Sequence, residues 1–131
     1  MSEVNGAVRI ALVTGASRGI GAAIAQELAA RGYRVIGTAT TEAGAEKISA
    51  ALAAHAGCRG AALDVNDAAA ADALIEAIVK EPGALHVLVT NAGITRAQLA
   101  MRMTDDDWDA VLDTNLKSVF RMSRPVIRPM I

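Results

Sequence analysis

Aromatic residues are almost missing: Tyr33, Trp108 and Phe120 are the only three in 131 residues. So few rings exclude the stacking platforms that bind single-stranded nucleic acid. No charge of one sign dominates either. Thirteen basic residues face 14 acidic ones, for a net charge of −1, and the basic footprint of a nucleic-acid surface is absent. Cys58 is the single cysteine, which excludes an intramolecular disulfide and a cysteine-cluster zinc site. No apolar run approaches the roughly 20 residues of a membrane span. Met1 to Gly6 lack the basic start of a secretion signal. These absences lead us to expect a soluble cytoplasmic protein with no nucleic-acid and no membrane partner.

Small and aliphatic residues are what the chain does have. Apolar residues make up 53% of it, 29 of them alanine, and the remainder is mostly Val, Ile and Leu. Such a composition excludes disorder and calls for an aliphatic core. The length suits one domain, which could bury roughly two-thirds of its unfolded surface.

Strand and helix patterns alternate along the chain. Residues 8–14 are a short β-branched run ending at Gly15, as expected of a strand covered on both faces. Ile20, Ile24 and Leu28 recur every fourth residue in a helix over 18–31, which Gly32 is placed to end. Tyr33–Ala39 is predicted as a second strand and Thr41–Ala56 as a second helix with Ile48 and Leu52 inward. Residues 60–65 form a third strand. Asp67 then caps a helix from Ala68 to Lys80, whose Leu74, Ile75 and Ile78 face the core.

Pro82-Gly83 breaks the chain before a fourth strand at Leu85–Val89, which ends in Thr90-Asn91-Ala92-Gly93. Thr104, followed by three aspartates, opens a long helical pattern. Pro125 and Pro129 should kink or break it near Arg124. Three strand-helix-strand crossovers imply a parallel, doubly wound sheet of order 3-2-1-4. Ligands bind such sheets where the winding reverses, at the carboxyl ends of strands 1 and 4. The turns at Gly15 and Gly93 fall at those two ends.

The first turn reads Thr14-Gly15-Ala16-Ser17-Arg18-Gly19-Ile20-Gly21. Glycines that follow a strand and open a helix are the setting of a dinucleotide site. Gly15 makes the turn, Gly19 lets backbone approach a pyrophosphate, and Gly21 lets helix and strand pack closely. The helix N-terminus supplies free N–H groups for the phosphates. The second strand ends Thr38-Ala39-Thr40-Thr41, where NAD-specific folds carry an acid for the ribose 2′-hydroxyl. Hydroxyls and the nearby Arg18 suit a 2′-phosphate instead, so NADPH is the expected cofactor; a merely solvated Arg18 is the plainer alternative.

Four features together resemble the short-chain dehydrogenase/reductase family over residues 8–131: the Thr-Gly-x-x-x-Gly-x-Gly spacing, Asp64 after the third strand, Asn91-Ala92-Gly93 after the fourth, and Asn115 within Thr114–Phe120. The segments 15–21, 35–40 and 91–96, with Leu99–Met103, resemble the family's bacterial branch acting on 3-oxoacyl groups of acyl carrier protein. Thr90 and Ala97-Gln98 depart from that branch. The resemblance implies a Rossmann-like α/β fold, here incomplete. Residues 1–131 would be its N-terminal NADP-binding part, comprising strands 1–4 and the following long helix.

It further implies cofactor binding by Gly15, Ser17, Arg18, Gly19, Ile20, Gly21, Thr40, Asp64, Val65, Asn91, Ala92 and Gly93. Asp64 would contact adenine, and Arg18 and Thr40 the 2′-phosphate. Asn115 would be the one catalytic residue present, from an Asn-Ser-Tyr-Lys set, positioning a water. A structural Asn115 bonding nearby backbone is the other reading, and both can hold. Tyr33 is followed four residues on by Gly37, so no Tyr-x-x-x-Lys exists and the chain alone is expected to be inactive.

The complete enzyme would be a homotetrameric, NADPH-dependent 3-oxoacyl reductase of fatty acid biosynthesis. Two alternatives stand beside it: reduction of acetoacetyl-CoA or another small ketone, and a non-catalytic nucleotide-binding or self-association module. Lys117, Arg121, Arg124 and Arg128 share a 4-3-4 spacing. They form either a solvated face or an attractive surface for the acidic carrier. His55 and His86 read as surface or strand residues and Asp105–Asp107 as a helix start, so no metal site is expected.

Overall fold

Side chains alternate across a strand, and in residues 10–13 that alternation sets the layering. A computed structural model describes residues 3–4, 7–80, 84–94 and 100–130. The Pro82-Gly83 break and residues 95–99 of the 91–96 and 99–103 motifs lie outside the described residues, as do Met1, Ser2, Asn5 and Gly6. Strand β1 (Glu3–Val4) pairs antiparallel with β2 (Ala7–Val8). The main sheet holds β3 (Ile10–Val13), β4 (Arg34–Ala39), β5 (Arg59–Ala62) and β6 (Val87–Val89). All its pairs are parallel, in the order β5-β4-β3-β6. This is the predicted 3-2-1-4 arrangement of a Rossmann-like α/β fold.

Helices cover both faces: α1 (Gly19–Ala30) and α2 (Glu42–Ala51) on one, α3 (Ala68–Lys80) and α5 (Ser118–Met130) on the other. Ala11, Val13 and Val35 pack beneath Ala25, Ala29, Ile48 and Leu52. Ile10, Leu12 and Ile36 pack with Ile75, Ile78, Met122 and Val126. Asp67 caps α3 as predicted, its Oδ1 accepting the Ala70 amide at 3.1 Å. The predicted helix at 41–56 is shorter: Thr41 is its cap, accepting the Gly44 amide at 3.0 Å, and turns follow Ala51.

Helix α1 buries its small-residue stripe more deeply than the predicted aliphatic one. Gly21, Ala25 and Ala29 face the sheet, while Ile20 is 73% exposed. Ile24 and Leu28 are half-buried and pack against the edge of the core on this side of the sheet, as predicted, and with Ile20 and Tyr33 they line a shallow apolar groove. Both stripes have four-residue spacing. The small one wins because it lets the helix approach the strands closely, whereas large aliphatics would hold it away.

The long helical segment also differs. Helix α4 (Asp105–Leu112) starts in a capping box between Thr104 and Asp107, as expected of such an N-terminus. The helix does not break near Arg124: α5 runs through Pro125 and Pro129. Each proline removes one helical hydrogen bond, but Met122 and Val126 hold this stretch against α3. Helical geometry changes earlier, in a π turn at Asp113–Lys117. Arg121, one of the four residues of the expected basic face, bonds the loop after β5.

Candidate functional site

Strands β3 and β6 lie side by side, and one hydroxyl ties their carboxyl ends together. Thr14, just past β3, is 1% exposed. Its amide donates to the Val89 carbonyl at 3.0 Å. Its Oγ1 accepts from the amides of Asn91 (3.0 Å) and Ala92 (3.1 Å). Asn91 returns the contact, donating Nδ2 to the Gly15 carbonyl at 3.1 Å. The two glycine-bearing turns are therefore one hydrogen-bonded unit.

A cleft of about 670 Å³ opens over this unit, lined by Gly15, Ser17, Arg18, Gly19, Thr40, Asp64, Val65, Asn91, Ala92 and Gly93 among others. Ten of the thirteen predicted site residues are thus brought together across four loops. Three are not on its wall. Gly21 is buried beneath the turn, where a Cβ would collide with the Gly15 carbonyl oxygen. That collision is the close approach its spacing predicted. Ile20 turns its side chain outward, although its amide belongs to the first turn of α1. Asn115, in the π turn, grips the Ile94 backbone from behind: Oδ1 accepts the Ile94 amide and Nδ2 donates to its carbonyl, both at 2.8 Å.

The glycine end of the cleft offers main-chain donors. Arg18 is the extended N-cap of α1 and makes no side-chain cap, and the first turn carries no acid. Among the described residues, no side chain caps the first amides of α1, which suit an anion and are helped by the helix dipole. Gly19, at φ +62°, has no atom within 4 Å of where a Cβ would stand, so this turn presents bare backbone to the cleft. The end of β4 contributes Thr38, Ala39 and Thr40 but no carboxylate; the acids on the wall are Asp64 and Asp113. Tyr33 precedes β4, at the opposite end of the parallel strands.

The family model for short chain dehydrogenase matches residues 9–131. The chain belongs to the short-chain dehydrogenase family. Among curated relatives, the 3-oxoacyl-[acyl-carrier-protein] reductase FabG of Escherichia coli K12 is 55% identical over 122 residues, 93% of this chain and 49% of the relative. The reductase of that name from Vibrio harveyi is 52% identical over 122 residues, again 93% and 49%. That from Pseudomonas aeruginosa is 51% identical over 124 residues, 93% and 50%. The chain spans about half the length of the curated relatives it matches.

In this family member, sequence reasoning missed part of the wall: Leu63, Asn66, Ile94, Ala110, Asp113 and Thr114 also line the cleft. Asn66 had a signal in its place two residues after Asp64. Thr114 neighbours the flagged Asn115. Ala110 had none, because a helix position reveals its neighbours only once the helix is docked. Among the described residues no group of three or more His, Cys, Asp or Glu is placed to hold a metal. No described helix is long and apolar enough to cross a membrane.

Proposed function

We propose that this chain is the NADPH-binding part of a reductase converting 3-oxoacyl groups on acyl carrier protein to 3-hydroxyacyl groups, in cytoplasmic fatty acid biosynthesis. The observation that carries this reading is the glycine end of the cleft. There, uncapped α1 amides and the bare Gly19 backbone adjoin an acid-free β4 terminus carrying Thr38 and Thr40. These features fit a dinucleotide with a 2′-phosphate.

The turn Gly15–Gly21, including the Ile20 amide, would hold the pyrophosphate. Ser17, Arg18 and Thr40 would hold the 2′-phosphate, and Asp64 and Val65 the adenine. Asn91, Ala92 and Gly93 form the floor beyond it, and Asn115 holds that floor through Ile94. NADPH, when bound, supplies the hydride for the keto carbon. The keto oxygen must also gain a proton, and Tyr33 at the far end of β4 cannot deliver one. The 131-residue chain is therefore proposed to bind without turnover.

The names of the E. coli, V. harveyi and P. aeruginosa relatives support the substrate and its carrier protein. Exposed Trp108, Leu116 and Phe120 on the α4–α5 segment support assembly into a homotetramer. Calorimetric titration with NADPH and NADH tests the cofactor. Charge-assisted bonds to one phosphate are worth about 1.5–3 kcal/mol, so NADPH should bind at least about tenfold more tightly. Equal affinity, or preference for NADH, would overturn the reading.

A further inference from the structure

We propose that Arg121 is a positioning residue for the adenine end of the cleft, acting through Asn66. This rests on the dinucleotide reading above. The wall concerned has two parts from distant sequence: the loop after β5, carrying Asp64 and Asn66, and the π turn, carrying Asp113 and Thr114. Apolar packing anchors the loop only at alternate positions. Leu63 and Val65 are in the core, while Asp64 and Asn66 are exposed on the cleft side.

A chain of hydrogen bonds fixes those exposed positions. Arg121, from α5, donates Nη1 to the Val65 carbonyl at 3.1 Å and to Asn66 Oδ1 at 3.3 Å. A guanidinium only donates, so it dictates which end of the Asn66 amide faces it. The other end, Nδ2, then donates to Thr114 Oγ1 at 2.8 Å. The Asn66 main-chain amide donates to Asp64 Oδ1 at 2.9 Å, orienting that carboxylate and occupying one of its oxygens. Thr114 is itself buried, its carbonyl accepting from Ser118 Oγ. Arg121 does not line the cleft; it sets the orientation of three groups that do.

Arg121→Met keeps the length and apolar stem of the side chain but removes every donor. In the full chain, its affinity for adenosine 2′,5′-bisphosphate, the adenine half of NADPH, should fall about tenfold, the scale of one lost charged hydrogen bond. The shift changes that nicotinamide mononucleotide produces at the Asn91–Gly93 amides should stay as in the wild type. Asn66→Ala, which leaves α5 untouched, should show the same selective loss, and Arg121→Lys, a donor of different geometry, a smaller one.

Unchanged bisphosphate affinity in both Arg121→Met and Asn66→Ala would overturn the proposal. So would equal weakening of the two half-ligands, which would mean a general loss of structure. Wild-type protein that binds neither half-ligand would instead defeat the dinucleotide reading, and this inference with it.

Discussion

The two walls of the cleft are built on opposite principles. On the glycine wall, β3–α1, the main chain presents itself: Gly19 is bare, the α1 amides are uncapped, and Gly21 lies where no Cβ fits. On the helical wall, from Asp64 to the π turn, side chains do the holding. Asn66, Thr114, Asn115 and Arg121 each spend their polar groups on other parts of the wall. Added atoms should therefore damage the first wall and lost donors or acceptors the second. The Thr14 hydroxyl, joining both turns, belongs to each.

Four substitutions probe that contrast. Gly21→Val should have the largest effect. Its Cβ meets the Gly15 carbonyl, so overpacking should cost about 3 kcal/mol or more and abolish cofactor binding, read by thermal unfolding and titration together. Thr14→Val keeps the shape but strips the acceptor from two amides, for an expected loss of about 2–3 kcal/mol. Denaturant unfolding measures it, and a loss below about 0.5 kcal/mol would remove Thr14 from the account. Asn115→Leu frees the Ile94 amide and carbonyl in a partly solvated place. About 1 kcal/mol is expected, with hydrogen exchange at the Ile94 amide accelerated.

Ile20→Ala should be smallest, within about 0.5 kcal/mol, because that side chain is mostly exposed. A loss above about 2 kcal/mol, the range of buried aliphatics, would restore Ile20 to the core and contradict the orientation of α1.

The same contrast explains what could be read from the sequence. The Gly15–Gly21 turn and the Thr104 and Asp67 caps are local patterns, each visible within a few residues, and the strand order follows from the succession of strands and helices. Ten of the residues that the family resemblance implies meet in one cleft because that topology brings the four loops together. Ile20 departs from the predicted stripe because hydrophobicity ranks it above Ala25, while contact with a sheet favours the smaller residue. The Thr114–Asn66 and Arg121–Asn66 contacts join positions 48 and 55 residues apart. Nothing local at Arg121 separates a bridging guanidinium from a solvated one, and its spacing with Lys117, Arg124 and Arg128 carried no sign of the bridge.

The central claim is that both walls close on one dinucleotide. Amide shift mapping during a titration with NADPH tests it directly. Saturable changes are expected at Gly15–Gly21, Thr40, Asp64–Asn66 and Asn91–Gly93, with little change at Ala29 or Ile48. Changes centred on the groove at Ile24, Leu28 and Tyr33, or no saturable change at all, would contradict it.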